Sequence, residues 1–517
     1  MESLLQVFAL IFFVYLMYQV MKYVFKMLLS LVNIAEKTSS RSEYSHFLSV
    51  PIRTIFSFIV NGKSNNMMGK LEASKFLSPL NKGILLDGQN KRLSPKDSFN
   101  HMAIIARTGG GKTTSYIIPN IFKLAQNNNS MIITDLSGEL YEKTSGYLKK
   151  KGFKIHVLDP EDLDASSNYN PLYYATDSMQ IDEIANILIK SANPGEIKPS
   201  DQIWTDGAKT LLTILIKSLV NTKDKKYKNL ANLKYLINNF GKNGEDLDEF
   251  MYKYLDQGTF SEWKSFVNGT SINTLLSFVA TANMALNAIG INENLKRLTA
   301  THNLKFDNFR REKTILYIRI PAQKQEQYSF LLNLFYTQFF SSMMKKLPTK
   351  KDLPIYCLLD EFGNMMIPRF SNTITTIRKY LISISIVLQD FSQLEQKYGK
   401  SETHTILNGG VAGKLFFSGA GLEVTKVLRQ IIGDRYVTKT DNRGMPHHVK
   451  EPIFSDSQLR TMADNEVIFI YGNRLPLKIK VKPYFKDFVM NSYTKYPKVK
   501  STLNIANTPI EYVDIFI

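Results

Sequence analysis

Short hydrophobic runs recur along the chain, and glycine, proline, acidic or amide residues follow them. The first run is His101–Ala106, and it leads directly into a glycine-rich stretch. Apolar runs of this length, closed by polar or turn residues, are typical of strands that are buried on both faces. Helical patterns separate them, so the order of elements predicts an α/β protein with a doubly wound parallel sheet. The later runs occupy 131–134, 154–158, 314–320, 355–359 and 382–388.

Strand patterns are absent between Ser178 and Leu304. Segments such as MQIDEIANILIKSA and DGAKTLLTILIKSLV repeat apolar residues every three or four positions, and Gly, Asn and Pro separate these segments. This spacing is the period of an amphipathic helix. We therefore expect an all-helical domain inserted into an α/β domain. The predicted boundaries are 35–177 and 305–495 for the α/β domain with its lead-in, 178–304 for the helical domain and 496–517 for a C-terminal tail.

A basic run lies inside the helical stretch, close to Tyr227 and Tyr235. Basic and aromatic side chains together bind single-stranded nucleic acid through charge and stacking. A solvated loop is the alternative for the same residues, and it is the favoured interpretation. The lysines of the run are Lys223, Lys225, Lys226 and Lys228.

The N-terminal run 4–21 is apolar except for Gln6 and Gln19. Its eighteen residues extend ~27 Å as a helix, close to the thickness of a bilayer core. Glu2 stands where a signal peptide carries basic residues, and no small-residue cleavage site follows. A single transmembrane helix is therefore favoured, with residues 1–34 as a membrane anchor and a buried core helix as the alternative. Basic residues after the run place the bulk of the chain in the cytoplasm; they are Lys22, Lys26, Lys37 and Arg41.

Composition narrows the class of protein further. Hydrophobic residues make up 44% and charged residues 21% of the 517 residues, which excludes a disordered or fibrous chain. The single cysteine, Cys357, excludes a disulfide framework and lies inside an apolar run as a small hydrophobic residue. The net charge of +19 fits a polyanionic partner, either nucleic acid or an anionic membrane, but a lysine-rich genome also accounts for it.

The glycine-rich stretch after the first run has the context of a phosphate-binding P-loop, because a strand precedes it and a helical pattern follows. Its backbone N–H groups would close around phosphates, Lys112 would reach the β- and γ-phosphates, and Thr113 would bind Mg²⁺. Ala106 stands where the pattern has glycine, so a glycine-rich turn before a lysine stays an alternative. The residues assigned to the nucleotide are Arg107, Thr108, Gly109, Gly110, Gly111, Lys112, Thr113 and Thr114.

Two later runs end in residues suited to ATP hydrolysis. Asp360 and Glu361 follow the run 355–359, where Asp360 would hold Mg²⁺ and Glu361 would act as general base toward water. Gln389 follows the run 382–388 and would sense the γ-phosphate or position the water. Because parallel strands bring their carboxyl ends to one edge of a sheet, we expect these groups to meet. The alternative is an acidic pair that caps a helix. The combination predicts an ATPase that uses ATP and Mg²⁺.

Seven motifs occur together in one order between about residues 80 and 485. They are IIARTGGGKTT, DLSGEL, Asn170-Pro171-Leu172, DQIWTDGAKTLL, LLDEFGN, LQDFSQLEQKYG and EVIFIYGNRLP. On these motifs the chain resembles the type IV secretion coupling proteins of the TraG/TraD kind, the membrane-anchored DNA pumps of conjugation. The resemblance covers most of the chain.

The resemblance implies a RecA-like nucleotide-binding domain, an all-helical domain and a homohexamer with a central DNA channel. It implies relaxase-bound single-stranded DNA as cargo, type IV secretion channel components as partners and the bacterial inner membrane as location. Arg378 falls where the family keeps an arginine before the third strand, so it is the candidate for a finger that reaches a neighbour's γ-phosphate. Arg369, Arg429 and a merely surface-exposed role for Arg378 are the alternatives.

The chain also departs from the family pattern. One membrane span is visible where two are common, Leu136-Ser137 replaces a Pro-Lys pair, and the C-terminus lacks an acidic tail. An FtsK/HerA-like double-strand DNA translocase is the main alternative function, but it should bring a C-terminal winged helix. A membrane AAA+ protease would need H-E-x-x-H, which none of the seven histidines forms. A nucleotide-binding scaffold without activity would not need Glu361 beside Asp360.

Overall fold

The structure is a computed structural model that describes residues 67–192, 198–440, 444–500 and 505–515. The predicted anchor 1–34, with its span 4–21, lies outside these residues. Among the described residues, no helix has both the length and the hydropathy required to cross a membrane. The transmembrane helix therefore stays a prediction.

Among the described residues, the six apolar runs form strands of one nine-stranded sheet, and a separate two-stranded ribbon lies in the chain before the last two strands of that sheet. All six strand predictions are confirmed, with ends that shift by no more than two residues. The strands are β1 Met102–Ile105, β2 Ser130–Thr134, β3 Lys154–Leu158, β4 Thr314–Ile318, β5 Ile355–Leu359, β6 Ile382–Leu388, β7 Gly413–Phe417, β8 Asp434–Thr440, β9 Pro446–Pro452, β10 Glu466–Tyr471 and β11 Leu477–Lys480.

The large sheet has the strand order β11-β10-β7-β1-β6-β5-β2-β4-β3. All pairs from β7 to β3 are parallel, whereas β10 is antiparallel to both β7 and β11. Ile105 at the end of β1 is level with Leu388 in β6 and Phe416 in β7. The carboxyl ends of β1, β6 and β5 therefore lie side by side at one edge of the sheet, and the segments that follow these strands start there.

Helices cover both faces of the sheet, because the parallel strands are apolar on both faces. Alternate residues of β1 show this: Ala103 and Ile105 belong to one hydrophobic cluster, and Met102 and Ile104 belong to a second one. The helices before the inserted segment are α1 Lys70–Phe76, α2 Pro95–Ser98, α3 Ile118–Leu124 and α4 Glu139–Lys150.

Between β3 and β4 the described residues form helices and short 3₁₀ turns without a strand. Helix α6 packs against α5 and α10, and a Cβ atom on Gly207 would come within 2.3 Å of the Phe278 ring, so a larger residue would force α6 and α10 apart. The proposed domain boundaries stay predictions, since residues 67–517 form one compact unit. These helices are α5 Ser178–Ala192, α6 Gln202–Val220, α7 Leu230–Asn238, α8 Asp248–Tyr254, α9 Gln257–Asn268, α10 Ile272–Ala285, α11 Asn287–Ile291 and α12 Glu293–Ala300.

The remaining helices flank the second half of the sheet. A π-helical turn, Thr113–Ile117, precedes α3, and a second one, Thr405–Gly410, follows α16. The remaining helices are α13 Asn308–Arg311, α14 Ser329–Met344, α15 Phe370–Thr376, α16 Phe391–His404, α17 Leu422–Ile432, α18 Asp456–Arg460 and α19 Phe488–Tyr493.

The C-terminal tail returns to the helical segment and covers part of the basic run. The buried side chain of Asn232 in α7 donates to the Glu511 carbonyl and accepts from the Val513 N–H, at 2.9 and 2.8 Å. Lys226 forms an ion pair with Glu511 at 2.6 Å. The tail is thus an ordered strap on α7, and one lysine of the basic run is occupied by it.

Candidate functional site

The glycine-rich loop joins the carboxyl end of β1 to the helix that follows, and its glycines are required by its backbone. Gly109 and Gly111 have φ of +73° and +82°, a left-handed conformation that other residues adopt at a cost. A Cβ on Gly110 would lie 2.9 Å from the Arg107 carbonyl, which accepts a hydrogen bond from the Gly110 N–H. The loop therefore has the tight curvature that lets backbone N–H groups surround phosphates.

Ala106 does not disturb the loop. It is fully buried, its N–H donates to the Leu388 carbonyl at 3.0 Å, and its φ is not positive. The residue extends the pairing of β1 with β6 by one step, so the position has no need of glycine in this chain.

Lys112 brings the loop together with the acidic pair at the end of β5. Its Nζ lies 3.1 Å from Oδ1 of Asp360 and 3.4 Å from Oε1 of Glu361. The Lys112 side chain is only 10% exposed, so water screens these interactions weakly. Burial raises the pKa of Asp360, and Lys112 opposes that rise by favouring the charged carboxylate. The structure therefore joins the two motifs that the sequence pattern assigned to one nucleotide site.

The backbone turns sharply at Glu361, which lets two consecutive carboxylates approach one lysine. Glu361 has φ of +52°, and its N–H donates to Oδ1 of Asp360 at 3.0 Å. A left-handed non-glycine residue costs about 1–2 kcal/mol, so the surrounding fold has to impose it. The neighbouring Phe362 supplies part of that constraint, since it is fully buried and its ring lies 4.6 Å from that of Phe370.

Gln389 lies beside the glycine-rich loop. The hydroxyl of Thr108 donates to Oε1 of Gln389 at 3.1 Å. This contact follows from the sheet order, since β6 lies between β1 and β5. Thr113 begins the π-helical turn after the loop, and the Thr114 hydroxyl donates to the Gly111 carbonyl at 3.2 Å. The structure thus places the loop, the acidic pair and Gln389 at one sheet edge.

Arg107 extends the site toward the antiparallel edge of the sheet. Its Nη2 lies 3.7 Å from Oδ1 of Asp464. A Cβ on Gly419 would come within 2.6 Å of the Arg107 Nε, so the arginine lies directly over this glycine. Sequence reasoning missed Gly419 and Asp464. The only available signal was a small-residue stretch, Ser-Gly-Ala-Gly, after the apolar end of β7.

Asp135 is a second residue to which the sequence pattern assigned no role, although it begins the motif DLSGEL. Its carboxylate accepts from the N–H groups of Leu140 and Tyr141, at 3.2 and 2.7 Å, and so caps the start of α4. Burial raises the pKa of Asp135 to about 6. Ser137, which replaces the lysine of the family pattern, accepts from the Glu139 N–H at 3.3 Å. The DLSGEL motif therefore ends β2 and begins α4.

Arg378 lies apart from the other predicted site residues. It is exposed, in the 3₁₀ turn Ile377–Tyr380 that immediately precedes β6. Because Gln389 follows the same strand, Arg378 is at the opposite edge of the parallel strands from the glycine-rich loop. The chain's own nucleotide site does not include it. Any contact of Arg378 with a nucleotide has to involve another subunit.

The other two arginine candidates have acidic partners. Arg369 lies 3.9 Å from Glu183, and Arg429 lies 3.7 Å from Asp456. Within the described part of the chain, Arg378 has no carboxylate within 4.0 Å. Of the three, Arg378 is therefore the one whose guanidinium is available to an external anion.

A glycine-rich loop after one parallel strand, with a lysine held against consecutive carboxylates after another, defines the P-loop nucleotide-binding proteins. The chain belongs to the type IV secretion coupling proteins: the family model described as "Type IV secretory system Conjugative DNA transfer" matches residues 69–508. The resemblance that the motifs indicated is thereby confirmed.

Curated relatives agree with this family. The protein VirD4 of Agrobacterium fabrum (strain C58 / ATCC 33970) is 24% identical over 411 residues, which cover 75% of this chain and 59% of VirD4. VirD4 of Rhizobium rhizogenes is 23% identical over 411 residues, with the same coverage of 75% and 59%. The chain thus spans about 59% of the length of these relatives.

Solved structures of coupling proteins have the same fold. The unbound monoclinic form of the bacterial conjugative coupling protein TrwBdeltaN70 has a TM-score of 0.63 and 14% identity, over 80% of this chain and 91% of TrwBdeltaN70. The plasmid coupling protein TrwB in complex with ADP and Mg²⁺ has a TM-score of 0.63 and 14% identity, over 81% of this chain and 93% of TrwB. These likenesses confirm the mixed α/β fold with a large parallel sheet of the RecA-like kind.

Proposed function

We propose that this protein is a membrane-anchored ATPase that couples relaxase-bound single-stranded DNA to a type IV secretion channel. ATP hydrolysis would drive the conjugative transfer. The observation that carries the proposal is the contact of Lys112 with Asp360 and Glu361, at 3.1 and 3.4 Å, beside a glycine-rich loop. Membership of the coupling protein family supports the same function.

The site contains the groups that a nucleoside triphosphate with Mg²⁺ requires. The loop 109–112 offers backbone N–H groups to the phosphates, and Lys112 neutralises the β- and γ-phosphates. Thr113 and Asp360 provide the hard oxygen ligands that suit Mg²⁺. A bound Mg²⁺ would shield the charge of the phosphates. Solved structures of TrwB are complexes with ADP and Mg²⁺ and with a non-hydrolysable ATP analogue. The donor set of this chain therefore fits ATP and Mg²⁺.

Hydrolysis requires a base and a means of orienting water. Glu361 is the base in this proposal, because its carboxylate lies beside Lys112 and is less buried than that of Asp360, at 27% against 15% exposure. Gln389, held by the Thr108 hydroxyl, orients the attacking water against the γ-phosphate. The three roles are distinct, since Asp360 holds the cation, Glu361 takes the proton and Gln389 sets the geometry.

Assembly and location complete the proposal. In a homohexamer, Arg378 of one subunit stabilises the γ-phosphate charge at the neighbour's site. Two observations support this role. Arg378 lies at the sheet edge opposite the glycine-rich loop, and no carboxylate of the described residues lies within 4.0 Å of its guanidinium. Residues 1–34 anchor the chain in the bacterial inner membrane by one span, with the bulk in the cytoplasm. The DNA enters with its bound relaxase and leaves through the secretion channel components.

One experiment tests the central claim. ATP turnover by the purified full-length protein is measured with and without a single-stranded oligonucleotide, for the wild type and for Lys112→Ala. We expect hydrolysis that the oligonucleotide stimulates in the wild type and that the substitution abolishes. Stimulation by duplex DNA only would support the FtsK/HerA-like alternative. No hydrolysis by the wild type under either condition would refute the ATPase proposal.

A further inference from the structure

A cavity of about 370 Å³ lies at the amino-terminal edge of the parallel strands. Asn100 just before β1, Arg378 just before β6 and Lys414 near the start of β7 all line it. The glycine-rich loop follows β1 at the other edge of the sheet, so this cavity is separate from the nucleotide site. Its volume falls within the range of small-molecule sites.

The cavity is cationic. Arg378 and Lys414 are lining residues, and among the described residues no aspartate or glutamate lines it. In the structure as described, neither residue forms an ion pair or a side-chain hydrogen bond with a carboxylate. Two cations face one space there without a counter-charge.

Lys414 is the more unusual of the two, because it is half-buried in the middle of a sheet. It is level with Ala103 in β1 and with Ile470 in β10, both of which are apolar and buried. This burial lowers the pKa of Lys414. An unpaired lysine in such surroundings is costly, and a bound anion would remove that cost by supplying the missing charge.

The remaining lining residues are uncharged, and they combine polar groups such as Asn100, Thr375 and Asn408 with apolar side chains such as Ile431 and Ile470. Asn408 and Gly409 are exposed at the end of the π-helical turn Thr405–Gly410. A Cβ on Gly410 would come within 2.5 Å of Ile374, so the turn packs closely against that wall of the cavity. The space is therefore shaped by the fold and is not a gap between loosely packed segments.

We propose that this cavity is a second anion site, which binds a phosphate group between Arg378 and Lys414. The planar guanidinium of arginine pairs with two phosphate oxygens, and lysine adds a compact positive charge. The inference goes beyond the proposed hydrolysis, which uses Arg378 but not Lys414, and only its nucleotide-bound form rests on the proposed function. A free phosphate and the terminal phosphate of a nucleotide held by a second copy have the same chemistry at this position.

The test removes the P-loop lysine first, so that the remaining phosphate binding reports on the cavity. Thermal unfolding of full-length Lys112→Ala in detergent is followed while inorganic pyrophosphate is titrated. We expect Tm to rise, since a ligand that binds only the folded state stabilises it. Adding Lys414→Gln or Arg378→Gln should raise the half-saturating pyrophosphate concentration at least tenfold.

Lys379 supplies the matched control. It lies in the same exposed turn as Arg378 but does not line the cavity. Lys112→Ala combined with Lys379→Gln should therefore titrate like Lys112→Ala alone. An absent Tm rise, or the same titration for all four proteins, would overturn the inference. A wild type that hydrolyses no ATP would instead refute the proposed function and leave this titration informative.

A second arm identifies the source of the phosphate. Lys414→Gln is introduced into the otherwise wild-type chain, and ATP turnover is measured with and without added inorganic phosphate. A lower kcat with an unchanged KM in phosphate-free buffer indicates a nucleotide held by a second copy. A kcat that equals the wild-type value in phosphate-free buffer, and differs from the wild-type value only after phosphate is added, indicates the free anion. The pyrophosphate titration decides whether the site exists, and these two kcat outcomes then decide which phosphate occupies it.

Discussion

The Nζ of Lys112 lies 3.4 Å from Oε1 of Glu361, although 249 positions separate the two residues in the sequence. The contact ties the start of the helix after β1 to the end of β5. It places Glu361, the proposed general base, next to the lysine that would hold the γ-phosphate. The roles of these two groups can therefore be separated by substitution.

Glu361→Gln should bind ATP and fail to hydrolyse it. The amide keeps the size of the side chain, but it cannot accept the proton of the attacking water, so kcat should fall about 100-fold or more. Retention of labelled ATP on the purified variant, together with its turnover rate, measures both effects. Turnover at the wild-type rate would show that another residue is the base.

Arg378→Gln should lower ATP turnover at least tenfold and leave ATP binding nearly unchanged, because in the proposed homohexamer the arginine acts on a neighbouring subunit. Arg369→Gln and Arg429→Gln are matched controls, since both arginines already have acidic partners at 3.9 and 3.7 Å. Steady-state kinetics of the three variants provide the measurement. An equal loss in all three would remove the special status of Arg378.

His101 should make the fold less stable in acid. The residue is 1% exposed, and burial lowers its pKa to about 3 from an ordinary value near 6.5. Between these values the unfolded chain binds a proton that the folded chain excludes, so stability falls as pH drops below about 6.5. The loss from this group should be about 2 kcal/mol between pH 7 and pH 5.

His101→Asn isolates that contribution. Asparagine tolerates the left-handed backbone of this position, where φ is +63°, and its side-chain oxygen can accept the N–H of Ile384 in place of Nδ1. Urea unfolding at pH 7 and pH 5, followed by circular dichroism, should show a smaller loss for the variant than for the wild type. Identical losses for the two proteins would mean that His101 does not govern the acid response.

Deletion of residues 1–34 should release the protein from membranes. The predicted span 4–21 is the only apolar stretch in the sequence of sufficient length, and without it the remaining chain has no expected bilayer anchor. Fractionation of cells that produce the truncated chain measures this directly, with the full-length chain as the control. Recovery of the truncated form in the membrane pellet alone would contradict the single-span prediction.

The sequence by itself determined the local parts of this protein. The apolar runs of β1, β5 and β6 specify buried strands, because such residues leave water wherever the strands finally lie. The backbone of the glycine-rich loop depends on Gly109 and Gly111, whose positive φ values are a property of glycine itself. The P-loop and the acidic pair could therefore be identified from neighbouring residues alone.

Only the tertiary structure decided which of these parts meet. The order β1-β6-β5 brings Gln389 beside Thr108, and it depends on the pairing of β1 with β6, in which Ile105 and Leu388 are level although 283 positions separate them. The strand β7 was missed because a glycine and Lys414 interrupt its apolar pattern. Arg378 lies away from the nucleotide loop and lines a cavity together with Lys414. Both facts likewise follow from strand pairing between distant segments. No local pattern encodes that pairing.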